Sequence, residues 1–160
     1  MIQAIYDTLT ADAQLSAMLP GGIHRANQIS RQRTPTAFDE FGELKPCLLL
    51  KAESATPWGP HHNSGRLYVQ MFLYQRNYDT SQPDATEFPL TGAEDLNYSY
   101  IEMAYRRIYS LLHRVKITPI DTSETSYEIV NANELLGMVD QGLDADLIML
   151  RYQATMQRGD

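Results

Sequence analysis

Histidines and carboxylates are the residues of this chain best suited to chemistry, and their spacing limits what they can do. His61 and His62 are adjacent, in a segment that also holds Pro57, Gly59, Pro60 and Gly65, while His24 and the Asp39–Glu40 pair lie elsewhere. A shared zinc ion needs ligands fixed on one face, as two histidines at i and i+4 of a helix are. Neighbours in a Pro/Gly loop lack that geometry, so a solvated loop is the expected role. Asp140, Asp144 and Asp146 cluster without the D-x-D/N-x-D/N-G register of a calcium loop. They read as an acidic hairpin tip that keeps strand edges soluble. Ser, His and Asp all occur, but no G-x-S-x-G elbow does. Neither G-x-x-x-x-G-K-S/T nor G-x-G-x-x-G is present, which removes the usual nucleotide cradles. The one cysteine, Cys47, excludes an intrachain disulfide and sits in an apolar run as a small buried hydrophobe. The residues carry no catalytic, cofactor or metal signature, and the expectation is a protein that is not an enzyme.

The elements that would position these groups come next. At 160 residues the chain reads as a single domain, 1–160, large enough to bury about two-thirds of its unfolded surface. Ten Tyr stand against four Phe and one Trp, a bias toward rings that suit half-buried sheet faces and interfaces. No apolar run approaches the roughly 18 residues that span a bilayer, and the first residues lack a secretion signal. A membrane partner is not expected. The net charge of −7 is uneven: residues 1–80 hold seven acids and seven bases, residues 81–160 thirteen acids and six bases. Such acidity disfavours broad, or sequence-specific, nucleic-acid contact, because binding leans on phosphate neutralisation. His24, Arg25, Arg31 and Arg33 form a local basic exception.

Ile2, Ile5, Tyr6 and Leu9 have helical spacing. A break follows at Thr10–Ala11–Asp12, then Leu15, Met18 and Leu19 open a second short apolar face, closed by Pro20–Gly21–Gly22. Two helices over about 2–9 and 12–19 are expected, with Thr10 or Asp12 capping the second. A short strand near Ile23–Ala26 precedes a long loop at about 27–45. Pro46–Lys51 is a continuous apolar run, as in a strand buried on both faces. Leu67–Tyr74 alternates: Leu67, Val69, Met71 and Leu73 on one face, Tyr68, Gln70, Phe72 and Tyr74 on the other. Further loops are expected at about 54–65 and 77–90. Thr91 with Glu94 forms a capping box for one long helix. Its stripe is Leu96, Tyr100, Ile101, Ala104, Ile108, Leu111, Leu112 and Val115, with His113, Arg114 and Lys116 at its negative end. A short strand at Ile117–Ile120 and an antiparallel pair, Tyr127–Val139 and Leu143–Met156, close the chain. A bulge is expected at Asn131–Glu134, and Leu147, Met149 and Tyr152 or Ala154 are expected inward. The fold class is α+β: a mainly antiparallel sheet of four to five strands, packed by one long helix and a broken N-terminal helix.

Loops longer than about 12–15 residues are uncommon in compact domains and often functional. Three of them around a small sheet suit arms that order on a neighbouring subunit. The Tyr68/Phe72/Tyr74 face reads equally as a contact with another chain or as cross-strand pairing within one sheet. A charge at Leu73 should prevent folding, and one at Tyr74 should leave the fold intact while weakening assembly.

The run Ile5-Tyr6-Asp7-Thr8-Leu9-Thr10-Ala11-Asp12-Ala13-Gln14-Leu15-Ser16-Ala17-Met18-Leu19, followed by Gly21-Gly22-Ile23, resembles the tail terminator and tail completion proteins of long-tailed bacteriophages. Those proteins commonly open with a helix, an Ala-Asp-x-x-Leu-x-x-Leu-like segment and a Gly-containing turn into a strand. The likeness in residues covers about Ile5–Ile23; beyond it only element order is shared. The resemblance implies a virion protein of the tail or neck, assembled in the host cytoplasm. It would be a homo-oligomer, usually a hexameric ring, that caps the tail tube, ends its polymerisation and meets the head connector. Its partners would be the tail tube protein and the connector or neck proteins, with no cofactor. Candidate interface residues on this reading are Arg25, Arg31, Arg33, Trp58, Tyr68, Phe72, Tyr74 and Tyr78. Competing readings are another neck or tail-tube component, and a small enzyme or ligand-binding domain with an unmarked site.

Overall fold

The computed structural model describes residues 2–53, 56–57, 64–76, 99–117 and 124–158. Helix α1 spans Ile2–Thr10 and α2 spans Ala13–Met18. Asp12 separates them as the expected N-cap: its backbone is extended and its carboxylate accepts the Leu15 N–H at 2.7 Å. The turn after α2 needs both of its glycines. Gly21 donates its N–H to the Pro46 carbonyl at 2.8 Å, and a Cβ there would sit 2.8 Å from that oxygen and 2.9 Å from Cys47 Cβ. Gly22 has φ +87°, a backbone state that a side chain resists. The turn thereby lays β1 (Ile23–Arg25) parallel to β2 (Cys47–Ala52).

The rest of the sheet is antiparallel: β3 (Thr56–Pro57), β4 (Ser64–Arg76), β5 (Glu124–Asp140) and β6 (Ala145–Arg158), with main order β1-β2-β4-β6-β5 and β3 beside β4. Helix α3 (Ser99–Leu112) packs with α1 and α2 on one face. The architecture is α+β, a five-strand path with a sixth, two-residue strand. Cys47–Leu50 is buried throughout, as its unbroken apolar run requires. Leu48, Leu50, Val69, Met71, Leu73, Ile148, Leu150, Tyr152 and Ala154 meet Ile5, Leu9, Leu15, Ile101, Ala104, Ile108 and Leu112 in the main core.

Several boundaries differ from expectation for local reasons. Ser64 and Gly65 already pair with Gln157 and Met156, so β4 begins inside the stretch read as loop, and Thr56–Pro57 pairs there too. Helix α3 stops at Leu112, because Arg114 turns to φ 59° and gives its N–H to the Ile129 carbonyl at 2.7 Å. Val115 therefore bridges to Ile129 instead of extending the helical stripe. Ile117 is buried outside any strand. The capping box at Thr91–Glu94, Leu96, the 77–90 loop and residues 118–120 lie outside the described residues. In β6 the helix-facing set is Ile148, Leu150, Tyr152 and Ala154; Leu147 points to the opposite side. Strand β5 does break register at Asn131/Asn133, and again at Ser126/Ile129 and Leu135/Met138, where Gly137 has φ 72°.

Candidate functional site

The sheet's second face is where the sequence could not say what covers what. Residues 27–45 fold back over one end of it and build a second core: Ile29, Ala37 and Leu44 pack on Cys47, Leu49, Tyr74, Ala145 and Leu147. Polar groups hold this segment in shape. Thr34 gives its N–H to the Ser30 carbonyl at 2.8 Å, and its hydroxyl accepts the Ser30 N–H at 3.0 Å. Asp39 Oδ1 accepts the N–H groups of Phe41 and Glu43 at 2.9 and 2.8 Å. Glu43 forms an ion pair with Arg76 at the end of β4.

Tyr74 is thus interior, 7% exposed, and burial pushes its phenol up to about 12, with Asp140 and Cys47 adding to the effect. A charge there would now be expected to disrupt folding, unlike the expectation from the alternating pattern. Burial likewise pushes the Cys47 thiol up to about 12, which fits a small hydrophobe. Phe72 is half-buried at the margin of the second core, with Lys51 Nζ 5.0 Å above its ring. Tyr68 lies beyond, under the Arg151 guanidinium at 4.1 Å. Arg151 Nε also donates to Glu53 Oε2 at 2.8 Å, and Gln70 donates to the same carboxylate. The aromatic row is therefore topped by cations, an arrangement that attracts through the ring quadrupole.

The three candidate arginines do not gather at one point. Arg25 donates to Gln3 on α1. Arg31 Nη2 donates to the Gly42 carbonyl at 2.9 Å and lies 5.9 Å from the Phe38 ring centre. Arg33 is exposed, its backbone N–H held by Ser30 Oγ at 3.1 Å. Trp58 and Tyr78 lie outside the described residues, as do His61 and His62. His24 shares a 2.7 Å hydrogen bond with the Gly21 carbonyl, and among the described residues no three metal-ligating side chains converge. Between the 27–45 segment and the β5–β6 turn is a cleft of about 470 Å³, lined by Arg31, Phe38, Glu43, Arg76, Leu143 and Asp144 among others. Among the described residues its lining includes no histidine or cysteine.

The acidic tip divides. Asp140 Oδ1 accepts the N–H groups of Gly142 and Leu143 at 2.9 and 3.2 Å, and Asp144 adopts φ 48° to complete the turn. Asp146, expected with them in solvent, is only 6% exposed opposite Gln75, and burial, then Asp144, raises its carboxyl above the usual value. The residues that sequence reasoning passed over are on β5. Leu135, Leu136 and Val139 are 44, 57 and 56% exposed, and Phe41 on the loop is 80% exposed. Adjacent leucines in a strand point to opposite faces, but Leu48 and Leu49 do so too and both are buried, so the sequence carried no signal that separates the two cases.

No family model matches the sequence, and no curated protein does. The fold is similar to a chain of a solved structure described as "Virion of native gene transfer agent (GTA) particle", with a TM-score of 0.63 and 13% identity over 96% of this chain and 91% of that one. Nearly the whole arrangement of helices and strands is shared.

Proposed function

We propose that this chain is a structural virion protein that closes into a ring, caps the tail tube of a phage-like particle and joins it to the head connector. The observation that carries the proposal is the likeness of fold, across almost the full length of both chains, to a component of a gene transfer agent virion. Two further features support it. Large aliphatic side chains stand in solvent along one strand, as on surfaces that meet other proteins. Asp12, Asp39, Glu43, Arg76 and Arg107 serve a cap, a turn and ion pairs. The resemblance of Ile5–Ile23 to tail terminator proteins is the reason for preferring the capping role to another place in the neck or tube.

The test is assembly. Light scattering on the purified protein, alone and with isolated tail tubes, should give a closed oligomer or binding to tube ends, and electron microscopy should show rings there. A monomer at every concentration that ignores tubes would overturn the reading. Rings stacked along tube walls would favour a tube component instead.

A further inference from the structure

Two surfaces of the subunit are complementary in charge and polarity. The first is the outer sheet face beyond the second core. Lys51 on β2, Arg66 on β4 and Arg151 on β6 share this face with Tyr68, Gln70, Phe72 and Met149, and Glu53 lies beside it, paired with Arg151. Three cations, two of them over half-buried aromatic rings, stand out in a chain of net charge −7. Lys51 and Arg151 already lie over those rings, so little side-chain freedom remains to be lost on contact.

The second surface is the far end of β5. Only its Ile129 region is bridged on the outer side, by Val115, among the described residues. From residue 132 to 137 every position is exposed, and Leu135, Leu136 and Val139 are 44, 57 and 56% open. Residues 128–144 include Glu128, Glu134, Asp140 and Asp144 and no Lys, Arg or His. The edge is therefore apolar and acidic where the sheet face is aromatic and basic.

We propose that the β5 edge of one copy, residues 132–140, docks onto the outer sheet face of a second copy around Lys51, Arg66 and Arg151. The two surfaces differ, so the contact is heterologous: each subunit offers one and receives the other, and the series closes into a ring if the rotation permits. This deepens the ring-forming function above and rests on it. Opposite charges set the register, and the leucines displace water from the rings.

Engineered cysteines test the geometry, because Cys47 is fully buried and does not compete. Leu136→Cys and Lys51→Cys variants, mixed under assembling conditions with a bismaleimide, should give a covalent dimer that neither variant gives alone. Charge variants test the energetics. L136K/V139K and K51E/R66E should each lose the assembly of the unmodified protein while keeping its circular dichroism. Their equimolar mixture should assemble further than either variant alone, since each retains one working surface and the introduced lysines meet the introduced glutamates. Self-cross-linking of Leu136→Cys alone would mean an edge-to-edge contact and overturn the proposal. Normal assembly of both charge variants would overturn it too, while leaving the ring itself standing. Failure of the unmodified protein to assemble, with or without tubes, would instead remove the function it rests on.

Discussion

Truncating Tyr74 to alanine tests the feature of this fold that alternation alone does not reveal. Its ring is 7% exposed and packed with Ile29, Ala37, Leu44, Cys47, Leu49 and Leu147. Removing a buried aromatic side chain costs about 3–5 kcal/mol when the surroundings cannot collapse. Native stabilities run about 5–15 kcal/mol in total, so the loss is large. At roughly 2–4 °C per kcal/mol for a domain of this size, the thermal midpoint should fall by about 6–20 °C. In urea, where the slope is about 1–3 kcal/mol per molar, the midpoint should move by more than ~1 M. Far-UV circular dichroism would report both. The milder Tyr74→Phe keeps the packing and removes only the hydroxyl. Its signature is alkaline: the unfolded phenol ionises near 10 and the folded one near 12, so rising pH through that interval favours unfolding. Part of the alkaline loss of stability should therefore disappear in Tyr74→Phe. A Tyr74→Ala unfolding free energy within ~0.5 kcal/mol of that of the unmodified protein would refute the second core.

Three other outcomes follow from the described contacts. Gly21→Ala should destabilise by about 1–3 kcal/mol, because its new methyl meets the Pro46 carbonyl and Cys47 Cβ at under 3 Å; chemical denaturation measures it. Asp12→Asn keeps an N-cap acceptor but loses the carboxylate that pairs with Arg107 Nε at 3.1 Å and Nη2 at 2.5 Å. The hydrogen bonds from Arg107 hold the Asp12 carboxyl below the ordinary value of 3.8. Its stabilising effect is thus present above that pH and lost as pH falls through the folded value, a limb that should flatten in Asp12→Asn acid titrations. Asp146 has the opposite sign. Its carboxyl is raised by burial and by Asp144, so Asp146→Asn should raise the thermal midpoint at neutral pH, with the gain shrinking as pH falls toward 3.8.

Local pattern was enough for much of the fold. The break at Thr10–Asp12, the strand at Cys47–Leu50, the alternation through Leu67–Tyr74 and the bulge at Asn131–Asn133 each depend on neighbours in sequence, and each is observed. Helix α3 was legible from Ile101 to Leu112 for the same reason, and its end was misjudged because the Arg114–Ile129 hydrogen bond joins distant segments. In β6 Tyr152 and Ala154 face the main core as expected, while Leu147 is buried on the opposite side and Met149 is only half-buried. With apolar residues on both sides, its alternation gives no sign of which side faces the helices.

The surface residues followed the same division. Tyr68, Phe72 and Tyr74 were visible as one aromatic row, yet the row splits: Tyr74 enters a core and Tyr68 lies under a cation. Arg25, Arg31 and Arg33 read as one basic cluster because they are close along the chain. Folding gives the first a partner on α1 and the second a partner within the loop.

By itself the sequence determined the elements, the turns and the absence of familiar catalytic motifs, since all of these follow from residue type and spacing along one strand of polymer. Tertiary structure alone decided which face residues 27–45 would cover, that Asp146 would leave water, and that Leu135, Leu136 and Val139 would remain in it. Those outcomes depend on which distant surfaces come to share a boundary, and burial is a property of both sides of that boundary.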